Sequence, residues 1–112
     1  MLKLPTEVRV YMALEPCDMR RQIDGLSALV RSAMERDPES GDLYLFCNRR
    51  GDMLKALFFD RHGYCMLVKR LSRGRFRVRV GEQHTGHVEM DAKELALLLS
   101  ELSFVRERAD AA

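Results

Sequence analysis

The sequence has no apolar run near the roughly 20 residues that cross a bilayer. The start, Met1-Leu2-Lys3-Leu4-Pro5, offers no apolar stretch of signal-peptide length, so a cytoplasmic protein without a membrane segment is expected. Cysteines are few and odd in number. Cys17, Cys47 and Cys65 never form Cys-x-x-Cys, and buried free thiols in a reducing compartment are the expectation. Neither a nucleophile elbow nor a phosphate loop occurs, which removes the enzyme classes those motifs mark. There is also no internal repeat, low-complexity tract or linker. The 112 residues, 46% apolar and 32% charged, therefore read as one domain over residues 1–105. Residues 106–112 form a polar tail that is expected to fray.

What is present is charge, unevenly placed. Between Arg49 and Arg79 stand ten basic residues and two acidic ones, a formal +8. The remaining nine basic and fifteen acidic residues give −6, so the whole-chain value of +2 hides a strong polarity. A local field of this size attracts polyanions, of which nucleic acid is the commonest in a cell.

Periodicity predicts the elements. Val8, Val10, Met12 and Leu14 alternate with Arg9, Tyr11 and Ala13, the pattern of a half-buried strand. Pro16 ends it, and Asp18 is placed to cap a helix. Ile23, Leu26, Leu29, Val30, Ala33 and Met34 give that helix a buried stripe. Asp37 to Gly41 is a loop. Leu43 to Cys47 is a continuous apolar run, read as a strand covered on both faces. Strands follow over Met53–Phe59, Tyr64–Leu71 and Arg75–Val80, separated by turns at 48–52, 60–63 and 72–74, with a short last strand at Val88 and Met90. Asp91 and Glu94 stand at capping-box spacing before a helix whose stripe is Leu95, Leu98, Leu99 and Leu102. The expected fold is α+β: an antiparallel meander of four to six strands, one helix after the first strand and one at the C-terminus, the helices on one face.

A meander places alternate turns at the same end of its sheet. Arg49 and Arg50 would then meet Arg73, with Lys69, Arg70 and Arg75 close by. Arg73, Arg75, Arg77 and Arg79 also alternate with Gly74, Phe76, Val78 and Val80, so one strand face would carry an arginine every roughly 6.6 Å. Such a row suits a phosphate backbone. A solvated edge strand that deters aggregation is the competing account. No code for base readout is visible, so phosphate contact is the limit of the reading.

Other chemistry fits less well. His62-x-x-Cys65 and His84-x-x-His87 supply zinc-ligand residue types, but Cys65 belongs to a strand and should point away from a turn ligand or into the core. Among the carboxylates, Asp18 and Asp91 read as caps. Asp52 and Asp60 close opposite turns about a strand length apart, too far to share a metal. Asp24 has no local explanation beyond a candidate salt bridge to Arg20 or Arg21. No cofactor, metal site or catalytic residue is expected.

Several segments, in order, resemble one family. They are Asp18-Met19-Arg20, Asp24-Gly25-Leu26, Asp37-Pro38 with Ser40-Gly41, and Leu43-Tyr44-Leu45-Phe46 running into Asn48-Arg49-Arg50-Gly51-Asp52. Lys55, Phe59-Asp60, Gly63-Tyr64-Cys65, Lys69-Arg70-Leu71 and Gly74-Arg75-Phe76 complete the set. Over about residues 4–102 the chain resembles the small accessory protein of insertion-sequence-66 type bacterial transposons, often called TnpB, a name shared with an unrelated RNA-guided nuclease. The resemblance implies a non-enzymatic role in transposition beside a separate transposase that carries the catalytic residues. Two departures stand out. Arg77-Val78-Arg79 replaces a tryptophan-proline pair, and Glu101-Leu102-Ser103-Phe104 replaces the usual Glu-Gly-Ile-Asp-Trp. Two readings stand at this point: contact with transposon DNA through Arg49, Arg50, Lys69, Arg70, Arg73, Arg75, Arg77 and Arg79, or docking on the transposase without direct DNA contact.

Overall fold

The first strand, β1 (Val10–Ala13), lies inside a sheet rather than at its edge. A computed structural model describes residues 8–76 and 86–100. After β1 come α1 (Ile23–Ser32), β2 (Leu43–Cys47), β3 (Met53–Asp60), β4 (Gly63–Arg70), β5 (His87–Met90) and α2 (Ala92–Ser100). The strands form one sheet in the order β4-β3-β2-β1-β5. β2, β3 and β4 are the expected antiparallel meander, and β5 pairs antiparallel with β1. β1 and β2 are parallel, with Val10 beside Leu43, and α1 is the crossover between them. The fold is α+β, with a mixed sheet in place of a wholly antiparallel one.

The helices do not share a face. Val10, Met12, Leu43, Leu45, Leu54, Ala56 and Phe58 point to one side and pack with Leu95 and Leu98 of α2. Tyr11, Tyr44, Phe46 and Leu57 point to the other and pack with Leu26 and Val30 of α1. Strand side chains alternate faces, so a sheet covered twice needs apolar residues at every central position. This is why Tyr11, expected on the polar side of a half-buried strand, is buried as deeply as Val10. Its ring stacks on its register partner Tyr44, with centroids 5.7 Å apart and planes at 16°. Leu26 and Val30 are fully enclosed, a burial worth about 1.5–3 kcal/mol each.

α1 begins later than Asp18. Its N-cap is Gln22, with no side-chain capping bond. Asp18 instead accepts the Arg20 backbone N–H at 2.9 Å and pairs with the Arg20 guanidinium. The intervening carbonyls of Met19 and Arg21 turn onto the buried ammonium of Lys55. A buried ammonium requires acceptors, and that demand holds the segment out of the helix. The capping box of α2 is present in full: Glu94 N–H donates to Asp91 Oδ1 at 2.8 Å, and Asp91 N–H to Glu94 Oε1 at 2.9 Å. Among the described residues, no helix is long and apolar enough to cross a membrane.

Candidate nucleic-acid interface

The C-terminal ends of β1, β2 and β4 lie together with the start of β3, and the loops there carry the basic residues. The 48–52 turn is organised by one side chain. Asn48 Oδ1 accepts the backbone N–H groups of Gly51, Asp52 and Met53 at 2.9–3.1 Å, and its Nδ2 donates to Asp52 Oδ1 at 2.7 Å. Gly51 has φ of 79°, a left-handed conformation that glycine adopts without steric cost. Arg49 and Arg50 project into solvent from this frame.

The segment after β4 is tied to the same turn. Leu71 N–H donates to Asp52 O and Phe76 N–H to Gly51 O, each at 2.8 Å. Leu71 and Phe76 are buried in the α2-side core, so the four residues between them are held outward. The turns therefore do share one end of the sheet, with Arg49, Arg50, Arg70, Arg73 and Arg75 all exposed there. A shallow cleft of about 200 Å³ between them is lined by Arg50, Asp52, Ser72, Arg73 and Arg75. On the other side of Arg50, a wider cleft of about 560 Å³ is lined by Asp18, Met19, Arg49, Arg50 and Met53. Arg50 is common to both.

Two of the described residues, Arg75 and Lys69, depart from the expected arrangement. Of the expected strand Arg75–Val80 only Arg75 and Phe76 are described, and Arg75, like Arg73, is a loop residue beside Gly74 with its φ of 82°. Arg77 and Arg79 lie outside the described residues. Lys69 is exposed, but its Nζ donates to the carbonyl of Leu99 near the C-terminus of α2, where a cation also complements the helix dipole. Lys55, counted in the basic segment, is buried at 4% exposure, so its ammonium is not offered to a ligand at the surface.

Within 48–52 and 69–76, six cations face one carboxylate, Asp52. The Asn48 bond, aided by Arg50 and Arg70, holds that carboxyl below its usual range, so it stays charged and partly offsets the cleft. Sequence reading missed Arg20 and Arg21, which reach this end through the loop after β1. The parallel placement of β1 beside β2 is the signal that locates them. Arg20 is already matched by Asp18 at 2.7 Å. Asp52, just before β3, and Asp60, its last residue, are held apart by the length of that strand.

A family model described as IS66 Orf2 like protein matches residues 8–109. The chain is 35% identical over 102 residues to the uncharacterized protein y4jC of Sinorhizobium fredii (strain NBRC 101917 / NGR234), covering 88% of this chain and 83% of that protein. It is also 35% identical over 100 residues to the uncharacterized protein y4hO of the same organism, covering 89% and 85%. No solved structure matches. The 48–52 turn and the segment that clasps it both fall inside the matched span, and the chain belongs to the IS66 Orf2-like family, accessory proteins of transposition that work with the transposase of their element.

Proposed function

We propose that the chain is a non-catalytic transposition accessory protein of the bacterial cytoplasm that contacts DNA phosphates. The contact runs through the arginine-rich end formed by Arg49, Arg50, Lys69, Arg70, Arg73 and Arg75, and continues along Arg77 and Arg79. The observation that carries this reading is the clasp between the 48–52 turn and the 71–76 segment. Two backbone hydrogen bonds keep four exposed guanidinium groups on adjoining loops. Guanidinium groups held at fixed spacing bind phosphate bidentately and lose little side-chain freedom in doing so. No code for base readout is visible in the sequence, so the reading stops at phosphate contact.

Salt-dependent titration of duplex DNA tests the reading. Four of these contacts, those of Arg49, Arg50, Arg73 and Arg75, contribute roughly −3.6 to the slope of log affinity against log salt. Replacing Arg49, Arg50, Arg73 and Arg75 by alanine flattens that slope and weakens all duplexes alike. Duplex binding that this variant leaves unchanged removes the patch assignment. Nuclease-resistant co-purification with the transposase, with no affinity for free DNA, favours docking on an acidic face of that partner instead.

A further inference from the structure

β4 is the edge of the sheet, and among the described residues no strand lies beyond it. Its burial is unusual for a strand with so apolar a sequence: Leu67 is 52% and Val68 51% exposed, one on each face. Edge strands of this length are normally blunted by charge, proline or a bulge. Here the charges, Lys69 and Arg70, stand only at one end, and the middle, Cys65-Met66-Leu67-Val68, is bare of them.

The ladder fixes which backbone groups face outward. Leu71 N–H donates to Asp52 O, and Asn48 N–H to Met53 O. In an antiparallel ladder, direction alternates residue by residue. Leu67, Lys69 and Cys65 therefore bond inward to β3, while Tyr64, Met66, Val68 and Arg70 present N–H and C=O to the open edge. Met66 and Tyr64 also pack with the α1-side core, so these outward-bonding residues carry their side chains on the α1 face.

We infer that β4 pairs with β4 of a second copy of this chain, antiparallel, about a two-fold axis through Leu67. An axis perpendicular to the sheet keeps the α1 faces of both copies on one side, so only residues of like parity can oppose. Centring on Leu67 matches Met66 to Val68 and Tyr64 to Arg70 of the second copy, and makes about eight backbone hydrogen bonds within the strand. Centring on Met66 makes fewer, because Arg70 then falls opposite His62, outside the strand.

Charge complementarity selects the copy and the direction. Parallel pairing sets the two Lys69-Arg70 ends side by side. Antiparallel pairing carries each Arg70 to the Tyr64 end of the other copy, where Glu39 Oε2 accepts the Tyr64 hydroxyl and Asp60 is exposed. Leu67 meets Leu67 at the axis on the α2 face, and Met66 meets Val68 on the α1 face. This is an isologous interface built by strand addition. One strand pair buries a small area, so the dimer is reversible and concentration-dependent.

Sedimentation equilibrium over a concentration series tests the pairing. The wild-type mass rises toward that of a dimer. Leu67→Lys sets two like charges at the axis and raises the dissociation constant by at least about tenfold, equivalent to 1.4 kcal/mol. Leu67→Glu does the same, and mixing the two variants restores dimer, which only a contact of residue 67 with itself permits. Val68→Pro removes an outward N–H and not one of the β3 ladder, so it also yields monomer with an unchanged far-UV spectrum. A wild-type mass that stays monomeric overturns the pairing, whether residues 77–80 of the same chain or another protein takes the edge. A dimer indifferent to Leu67→Lys and Val68→Pro overturns it as well.

Discussion

Lys55 Nζ stands 2.7 Å from the carbonyl oxygen of Arg21 and 2.9 Å from that of Met19, which pins the segment before α1 to the middle of the sheet. The ammonium is 4% exposed, and the two carbonyls are its acceptors in place of water. Lys55→Met keeps the length of the side chain and adds apolar contact. It also strands both carbonyls and removes two charge-assisted hydrogen bonds, each worth about 1.5–3 kcal/mol. The loss outweighs the gain, and the variant is expected to be about 2 kcal/mol less stable, read as a lower urea midpoint at constant slope.

Asn48 supports Arg49 and Arg50 without needing to touch a ligand. Its Oδ1 satisfies three backbone N–H groups of the turn. Asn48→Ala leaves them to water and frees the turn, with an expected loss of about 1–3 kcal/mol. Because Leu71 and Phe76 are bonded to the same turn, the effect spreads to Arg73 and Arg75. Duplex affinity should fall in this variant although no charge has been removed. Gly51→Ala makes a second, narrower test. Its Cβ would meet Arg75 Cβ at an ordinary 3.5 Å, so the cost of about 1–2 kcal/mol comes from φ alone.

Much of this architecture is visible in residue patterns, and the exceptions share a cause. The α1 stripe, the apolar run of β2, the 48–52 turn and the Asp91–Glu94 box are local signals, and each is found where its pattern puts it. Which strand lies beside β1 is a non-local choice. Parallel pairing with β2 places β1 inside the sheet, and from that follow the burial of Tyr11 and the helices on opposite faces. Lys55 carried a signal that went unused: a lysine on the same strand face as Leu57, in a strand with apolar neighbours throughout. At the candidate site, the meander was enough to bring Arg49 and Arg73 together. At Arg73 and Arg75 the expected strand gives way to a loop, because Leu71 and Phe76 both reach the core within six residues and Gly74 bends the chain to allow it; Arg77 and Arg79 lie outside the described residues.

Asp18 and Arg20 form an exposed pair with an acid-range signature. Hydrogen bonds from the Arg20 side chain and backbone hold the Asp18 carboxyl at about 2, down from its ordinary 3.8. A carboxyl depressed on folding stabilises the fold fully above its unfolded value and loses that contribution as pH falls through the folded one. The loss therefore falls between about pH 4 and pH 2, and added salt diminishes it because the pair is exposed. Carboxyl titration by NMR is the direct check. Arg20→Gln should return Asp18 toward 3.8 and flatten the stability profile in that window, and an unmoved titration rejects the pairing.

Cys47 and Cys17 are adjacent through a backbone hydrogen bond, Cys17 N–H to Cys47 O at 2.8 Å, and both are free thiols. Burial pushes the Cys47 thiol up to about 12 and raises that of Cys17 as well. Only the thiolate attacks an alkylating agent. At pH 8 a thiol at about 12 is ionised in roughly one molecule in ten thousand, so native Cys47 should react with iodoacetamide about a thousandfold more slowly than an unfolded cysteine. Unfolding restores an ordinary thiol and removes the barrier together. Alkylation of Cys47 and Cys17, followed by mass spectrometry through a urea series, should therefore trace the unfolding transition. Rapid labelling of Cys47 in the absence of urea would show that the end of β2 opens locally, and with it the frame that holds Arg49 and Arg50.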